Sequence, residues 1–352
     1  MRWVISCLLV VSLLTAVRLV GQEAKPKGNN YAILVGVNVY SKPCYEALKF
    51  AERDMAELKG VLEKGGFQVT LLLGSSAGEA EATTENIRRV LLDKKASVLK
   101  TVTQDDTILV ALSGHGEQIA VDGKEVPFFC PKHAVSGDPD TQISINDVLD
   151  SLDKRGGGSN LVLVDACRKF VKRVEGKKSG ASMDRGKVQS LRAGIGVMFA
   201  YSDRQEAMEH PKAGDGHGLF FCSVLEALNT TEANASGQIT WEQLVPKIRT
   251  KVKALADQLD TSTPPELRQK PQYIGNFSEG PVLIAGGKME PRDNSESIEA
   301  FEWKGESRNA RSRSSPSAAK SSSSSRCQPA VSSWVRWTRT RMPVRTRNRS
   351  TG

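Results

Sequence analysis

Short apolar runs alternate with longer amphipathic stretches along the middle of the chain. The runs are rich in Leu, Val and Ile and have the length of strands. They are Tyr31–Val37, Phe67–Leu73, Thr107–Leu112, Leu161–Val164 and Ile195–Tyr201, with Pro281–Ala285 as a candidate for a last strand. A run that is apolar at nearly every position predicts a strand buried on both faces, as in a parallel sheet.

The stretches between these runs have apolar residues at helical spacing. They are Tyr45–Lys64, Thr84–Lys100, Ser144–Leu152, Gly218–Leu228 and Trp241–Leu259. Gly65 and Gly66 end the first of them, and Ser144 is a suitable N-cap residue. Strands that alternate with helices predict an α/β fold, with a mainly parallel sheet covered by helices on both faces.

The two ends of the chain differ from this middle part. Residues 1–24 begin with Arg2 and an apolar run, Trp3–Val17, which is too short for a confident membrane span. They read as a secretory signal peptide, and therefore predict a secreted or periplasmic protein without a stable membrane span. Because Arg18 interrupts the pattern, an uncleaved membrane anchor is the alternative.

The basic charge of the chain belongs to its C-terminal tail. The formal net charge is +9, yet Ser307–Gly352 contains eleven Lys or Arg and no acidic residue. The folded part is therefore no candidate for a specific nucleic-acid binder. Residues 286–352 are rich in Ser and Arg with few apolar residues, which predicts disorder. The expected folded domain spans residues 25–285.

The six cysteines are irregularly spaced and include no Cys-x-x-Cys pair. This spacing gives no indication of a zinc site or of a dense disulfide framework. Cys44, Cys130 and Cys222 are read as small buried thiols.

One cysteine and one histidine follow predicted strands. Asp165 and Cys167 come directly after Leu161–Val164, and His115 follows Thr107–Leu112 with a glycine on each side. Since parallel strands end at the same edge of a sheet, both side chains would face one cleft. A thiol needs a nearby base to become a useful nucleophile. Either residue alone is commonly structural, but together they favour catalysis.

The other histidines are weaker candidates for the base. His217 lies between two glycines before a predicted helix and is the one rival. His133 lies in a loop and His210 precedes a proline.

Two motifs carry a resemblance to a known family. Ser113-Gly-His-Gly116 and Asp165-Ala-Cys-Arg168 resemble the caspase-like cysteine peptidases, and among them the metacaspase and bacterial orthocaspase branch. Three further segments resemble the family: Ala51–Asp54, Tyr201–Ala207 and Gly216–Phe220. The resemblance covers Asn30–Ala285. It implies a three-layer αβα sandwich around a mainly parallel six-stranded sheet.

The resemblance also implies a mechanism. Cys167 would attack a peptide carbonyl, and His115 would accept the thiol proton and protonate the leaving amine. The backbone N–H groups of Gly116 and Cys167 would hold the oxyanion. The chemistry requires no metal, although calcium activates some metacaspases.

Substrate preference follows from acidic residues that match the family's pocket. These are Asp54 and Asp165, with Ser113 lining the pocket and Asp203 and Gln205 flanking it. Carboxylates favour a guanidinium or ammonium group and repel aspartate. The expected substrates are therefore peptides or proteins with Arg or Lys before the scissile bond (the P1 residue).

The segment after the cysteine is unusual. Lys169–Arg192 is rich in Lys and Arg, so an enzyme of this specificity could cleave it in its own chain. Arg168-Lys169-Phe170 stands where many metacaspases have His-Ser-Gly, which leaves the branch open. A catalytically silent scaffold protein and a legumain-like peptidase are the alternatives, and a panel of peptide substrates distinguishes them.

Overall fold

The structure is a computed structural model that describes six ranges of the chain. They are residues 28–95, 97–166, 169–170, 191–201, 207–277 and 280–285. Within these ranges no helix is long and apolar enough to cross a membrane. The predicted signal peptide, the C-terminal tail and most of the basic segment 169–192 lie outside them. Those three assignments therefore stay predictions.

A six-stranded sheet forms the middle of the domain. Its strand order is β13-β9-β7-β3-β1-β2. The strands are β1 (Asn30–Gly36), β2 (Phe67–Leu73), β3 (Thr107–Gly114), β7 (Ser159–Ala166), β9 (Ile195–Phe199) and β13 (Gln272–Asn276). Neighbouring strands from β2 to β9 are parallel, and β13 pairs antiparallel with β9 at one edge. The predicted mainly parallel sheet is confirmed.

Five α-helices cover the two faces of this sheet. They are α1 (Ala51–Lys64), α2 (Thr84–Leu91), α3 (Ile145–Arg155), α4 (Leu219–Thr230) and α5 (Trp241–Leu259). Successive residues of β1 point to opposite faces: Ile33 joins the core under α2 and α3, while Leu34 joins the core under α1, α4 and α5. Both residues are fully buried. The fold is thus the predicted three-layer αβα sandwich.

A smaller four-stranded sheet extends from the edge where β3 and β7 end. Its order is β6-β5-β4-β8, with β4 (Gly116–Val121), β5 (Lys124–Phe129), β6 (Ile143–Ser144) and β8 (Lys169–Phe170). β4 and β5 form a hairpin whose turn residues, Asp122 and Gly123, have φ values of 50° and 77°. Positive φ at both central residues is the type I′ geometry that an Asp-Gly turn favours.

Two predicted helices have different bounds in the structure. The first helix begins at Ala51 rather than Tyr45, because the N–H groups of Lys49 and Phe50 donate to the carboxylate of Glu209. The second ends at Leu91, and a 3-10 turn follows at 98–101. Between them the Asp93 side chain accepts a hydrogen bond from the N–H of Lys95, which competes with a continued helix.

The last predicted strand is present but lies outside the main sheet. Val282–Ala285 forms β14 and pairs with β12 (Gln238–Thr240). The sixth strand of the main sheet is β13. It is an edge strand, and its polar sequence Gln-Tyr-Ile-Gly-Asn gives no apolar signal that would predict a strand. The remaining short strands, β10 (Glu209–His210) and β11 (His217–Gly218), pair with each other.

Candidate active site

The segments that contain His115 and Cys167 are paired at both of their ends. Gly114 at the end of β3 pairs with Ala166 at the end of β7. Glu117 in β4 pairs with Lys169 in β8, again in parallel. Two residues lie between the paired positions in each segment. Cys167 itself lies outside the described residues, so the structure does not test its position.

The loop 40–46 fixes the orientation of His115. The backbone N–H of His115 donates to Tyr40 Oη at 2.7 Å, and Nε2 lies 2.8 Å from the carbonyl oxygen of Glu46. The imidazole ring stacks on Tyr45 with 5.5 Å between centroids. Because a carbonyl only accepts hydrogen bonds, Nε2 bears the hydrogen of the neutral ring, and Nδ1 has the basic lone pair.

The backbone of Gly116 has a defined direction. The N–H of Cys130 donates to the carbonyl of His115, so Gly116 and Phe129 form a pair without mutual hydrogen bonds. In such a pair the N–H of each residue points away from the partner strand. The N–H of Gly116 therefore points away from β5 and toward the side on which β8 pairs with β4.

A buried carboxylate supports Tyr45. Glu117 accepts hydrogen bonds from the Tyr45 hydroxyl at 2.9 Å, from Ser136 Oγ at 2.5 Å, from the N–H of Gly137 at 2.9 Å and from Gln142 Nε2 at 2.7 Å. Four donors compensate the burial of this carboxylate. The network holds the aromatic ring against which His115 stacks.

A pocket with acidic walls lies beside His115. Its lining includes Asp54, Ser113, Asp165, Glu209 and Gly218. A Cβ atom on Gly218 would lie 2.9 Å from Oδ2 of Asp165 and 3.1 Å from Oδ2 of Asp54. The absence of a side chain at this position therefore lets both carboxylates approach the same point of the pocket wall.

The carboxylate of Asp54 is hydrogen-bonded within the protein. Its Oδ1 lies 2.6 Å from His217 Nδ1, and its Oδ2 accepts the N–H of Gly218 at 3.1 Å. Burial raises the pKa of Asp54 to about 6, although the bonds from His217 and Gly218 act in the opposite direction. Asp54 is therefore mainly ionised at neutral pH.

Asp165 is also buried, but its carboxylate is less well satisfied. Within the ranges given above, its Oδ1 has no hydrogen-bond partner. Burial, and then the charges of Asp54 and Glu209, raise the pKa of Asp165 well above its usual range. An opposite charge entering the pocket would reverse this shift.

The structure brings together most of the residues predicted from the sequence. His115, Ser113, Asp54 and Asp165 line one cleft at the carboxyl edge of the sheet, and Gly116 follows His115 at the start of β4. Asp203 and Gln205, like Cys167, lie outside the described residues, and their assignments stay predictions.

The rival histidines have other partners. His217 faces Asp54, as described above, and His133 Nδ1 lies 2.7 Å from Ser41 Oγ. His210 Nδ1 accepts the N–H of Lys212. His115 is the histidine at the end of β3.

Cys130 and Cys222 are buried as predicted, whereas the prediction is wrong for Cys44, which is partly exposed. Burial, and then the charge of Glu117, raise the pKa of Cys130 well above its usual value, and burial raises the pKa of Cys222 to about 11. Neither is a ready source of thiolate at neutral pH. Among the described residues, no group of three or more His, Cys, Asp and Glu side chains is arranged to hold a metal ion.

Three contributors to the site were missed by sequence reasoning. Tyr45 was assigned to a helix, Glu117 was not singled out, and Glu209 lies far along the chain from the residues it contacts. The Asp-Gly dipeptide of the β4–β5 turn was the available signal for the hairpin that contains Glu117. Nothing local marks Glu209.

Comparisons with known proteins match this chain to a family profile and to solved structures. A sequence profile described as the caspase domain of peptidase family C14 matches residues 29–279. A protein of Geobacter sulfurreducens superposes with a TM-score of 0.50 at 16% identity, over 73% of this chain and 97% of the other. Caspase-1 of Spodoptera frugiperda gives 0.48 at 17% identity, over 77% of this chain and 98% of the other. No curated protein sequence matches significantly.

Proposed function

The chain belongs to the caspase-domain family of peptidases, and from this premise we propose that it is a cysteine endopeptidase in which Cys167 is the nucleophile and His115 the base. The observation that supports this most is the double pairing at the sheet edge. Gly114 pairs with Ala166, and Glu117 pairs with Lys169. Paired positions in a sheet are about 4.8 Å apart, so chain continuity keeps the two proposed catalytic residues close.

The tautomer of His115 suits the role of a base. With the Nε2 hydrogen donated to the Glu46 carbonyl, Nδ1 is the atom that takes the proton from the Cys167 thiol. The sulfur then bonds to the substrate carbonyl carbon. When the peptide C–N bond breaks, Nδ1 returns the proton to the leaving amine. Water hydrolyses the resulting thioester and regenerates the thiol.

The oxyanion requires hydrogen-bond donors that are already in place. The N–H of Gly116 points away from β5, toward the side where β8 pairs with β4, and is proposed as one donor. The N–H of Cys167 is proposed as the other. One donor of this kind contributes roughly 3–4 kcal/mol to the transition state.

We propose Arg or Lys as the P1 residue. The pocket beside His115 contains Asp54, Asp165 and Glu209, and no Lys or Arg side chain is among its lining residues in the described part of the chain. The unpartnered Oδ1 of Asp165 is an acceptor that a guanidinium or ammonium group would satisfy. An acidic P1 side chain would meet repulsion in the same place.

Two finer proposals depend on the same chemistry. An enzyme that cleaves after Arg or Lys would cleave the basic segment 169–192 of its own chain, which mass spectrometry of the wild-type and Cys167→Ala proteins tests. Identical fragments from both proteins would rule this out. Activation by calcium is a separate proposal, and assays with calcium and with a chelator test it.

The proposed function is tested with four fluorogenic peptides that differ only at P1, where they have Arg, Lys, Asp or Asn. We expect turnover of the Arg and Lys peptides alone. Cys167→Ala and His115→Ala should each lower kcat by at least about a thousandfold, as expected for members of a catalytic pair.

Cys44→Ala is the matched control, because Cys44 is a partly exposed thiol outside the proposed dyad. It should retain wild-type turnover. If all four peptides resist cleavage with and without calcium, the result favours the alternative of a silent scaffold protein. If Cys44→Ala abolishes activity while Cys167→Ala does not, the nucleophile is misassigned.

A further inference from the structure

His217 is a buried imidazole that the proposed reaction does not use. It is 4% exposed and lies in β11, directly before Gly218 of the pocket wall. Its Nδ1 lies 2.6 Å from Asp54 Oδ1, and its Nε2 lies 3.7 Å from Glu57 Oε2. Asp54 and Glu57 are three residues apart on α1 and so share one helix face. Each nitrogen of the ring thus faces a carboxylate.

The three carboxylates of the pocket differ in what satisfies them. Glu209 accepts hydrogen bonds from two backbone N–H groups at the start of α1. Asp54 is held by His217 and by the N–H of Gly218. Asp165 alone has an oxygen without a partner among the described residues. Two carboxylates of the pocket, Glu209 and Asp54, are therefore hydrogen-bonded within the protein, and Asp165 has an oxygen that a ligand can contact.

Resting on the proposed function, we propose that His217 is a positioning residue that determines specificity: it holds the carboxylate of Asp54 at β11, so that Asp165 receives the basic P1 side chain. His217 does not touch the substrate in this role. It acts through Asp54, whose charge stays in the pocket while its oxygens are engaged.

The role has a physical basis in the crowding of carboxylates. Gly218 brings Asp54 and Asp165 to the same point of the wall, as its missing Cβ shows. Without the His217 donor, Asp54 keeps only the Gly218 N–H, and two buried carboxylates that approach each other share a proton. A shared proton cancels the charge that attracts the P1 cation. The loss of His217 would therefore weaken P1 binding and leave the chemical step intact.

The charged groups around the Asp54–His217 pair set how this effect depends on pH. Asp165 from β7 and Glu209 from β10 lie near Asp54, and Glu57 of α1 faces the other nitrogen of His217 and pairs with Arg53 of α1. All three neighbours are carboxylates, so removal of the imidazole favours protonation. Raising the pH removes the shared proton and should restore binding.

The test compares His217→Leu, which removes the donor, with His217→Asn, whose side-chain amide can donate to Asp54. His210→Asn is the matched control, because His210 pairs with His217 across the same two-stranded ribbon but does not line the pocket. Turnover of the P1-Arg peptide gives KM and kcat from pH 6 to pH 9. Calorimetry with agmatine, a free guanidinium compound, measures pocket binding in the Cys167→Ala background.

For His217→Leu at pH 7 we expect KM for the P1-Arg peptide and Kd for agmatine to rise roughly tenfold or more, with kcat within a factor of two, because the shared proton affects binding alone. His217→Asn should recover most of the loss, and pH 9 should recover most of it in the leucine variant. His210→Asn should match the wild type.

Unchanged KM and Kd in His217→Leu would overturn the proposal, and so would a fall in kcat with KM unchanged, which would make His217 part of the chemistry. If the leucine variant does not fold, His217→Asn decides, since its agmatine affinity should fall more steeply below pH 7 than that of the wild type. Superimposable curves would overturn the proposal.

The calorimetric arm separates this inference from the proposed function. If the wild-type protein cleaves none of the peptides but binds agmatine in a manner that depends on His217, the peptidase proposal fails and the assignment of His217 stands. If the peptides are cleaved and agmatine binding does not depend on His217, the peptidase proposal stands and the assignment of His217 fails.

Discussion

Two buried carboxylates near His115 have opposite surroundings. Glu117 is 3% exposed and Asp165 is 6% exposed, so both have lost nearly all contact with solvent. Glu117 accepts hydrogen bonds from four donors. Asp165 has an oxygen without a partner in the described part of the chain, and two further carboxylates nearby.

The difference separates a structural region from a binding region. A buried polar group that is fully hydrogen-bonded adds rigidity, and here it fixes the ring of Tyr45 under His115. A buried carboxylate without partners destabilises the fold until a ligand compensates it. The comparison therefore fits the proposed roles, in which Glu117 would support the base and Asp165 would recognise the substrate.

Among the variants that test this comparison, Asp165→Asn should have the largest effect. The amide keeps the shape but loses the charge, so kcat/KM for P1-Arg should fall by about a hundredfold or more, as when one partner of a buried charge pair is removed. Kinetics with the P1-Arg peptide measure this. A loss of less than threefold would contradict the assignment of Asp165 to the pocket.

The same variant should be more stable than the wild type without ligand. Since the folded state raises the pKa of Asp165, this group favours folding most at low pH, and the contribution is lost as pH rises toward the folded-state value. An asparagine does not ionise, so Asp165→Asn should have the higher Tm at pH 8. An equal or lower Tm would contradict the unpartnered state.

The next effect is the pH dependence of binding. A cationic P1 residue binds the ionised form of Asp165, whose pKa is raised in the empty pocket by burial and by Asp54 and Glu209. Affinity for P1-Arg should therefore rise with pH, by up to about tenfold per unit below that pKa. KM for the P1-Arg peptide is measured from pH 6 to pH 8.5. The rate of Cys167 alkylation over the same range reports the ionisation of the thiol, so that the two pH dependences can be separated.

A smaller effect is expected from Glu117→Gln. The amide nitrogen of glutamine cannot accept the hydrogen bonds that Glu117 accepts, so stability should fall by about 1–3 kcal/mol. Loss of order in Tyr45 should lower kcat by roughly three- to tenfold with KM unchanged, as expected for a group that supports the base. Denaturant unfolding and P1-Arg kinetics measure the two changes. A rise in KM with kcat unchanged would contradict the assignment of Glu117 to the support of His115, because it would indicate a role in substrate binding.

The smallest effect is that of Tyr45→Phe. The ring that stacks on His115 stays, and the hydrogen bond to Glu117 is lost, which costs roughly 0.5–1.5 kcal/mol of stability. Turnover should stay within about a factor of three, whereas Tyr45→Leu should reduce it further because the stack is lost. Equal turnover in both variants would show that stacking has no role in orienting His115.

The main sheet was predictable because its strands are buried on both faces. In β7 the run from Leu161 to Val164 is apolar at every position, as expected, but the strand is longer than this run: it spans Ser159–Ala166 and includes Asp165. The bounds of α5, Trp241–Leu259, were also predicted, since Thr240 and Gln243 form a capping box that local sequence reveals.

The rest depends on contacts between distant parts of the chain. The start of α1 is set by Glu209, about 160 residues away, and no periodicity reveals such a partner. β13 is an edge strand with a polar sequence, so it lacked the apolar signal on which the other strands were recognised. The His217–Asp54 pair likewise joins two elements that only the fold brings together.

The proposed dyad was predictable for a different reason. His115 and Cys167 each follow a buried parallel strand, and the sheet rule places such residues at one edge. The pairing of β4 with β8 was not predicted, because Lys169-Phe170 resembles a polar loop. The sequence therefore indicated His115 and Cys167 as candidates, and the structure added the pairing of β4 with β8, which follows them along the chain.

The length of the two segments that lead from the main sheet to the small sheet limits how this protein can evolve. Gly114 to Glu117 and Ala166 to Lys169 are segments of equal length that join the same two sheets. An insertion or deletion of one residue in either segment would shift one sheet against the other and turn every following strand residue to the opposite face. Substitutions there leave that register intact. For the register of the two sheets, the length of these segments is therefore under tighter constraint than their composition, whereas the proposed chemistry constrains the residues themselves.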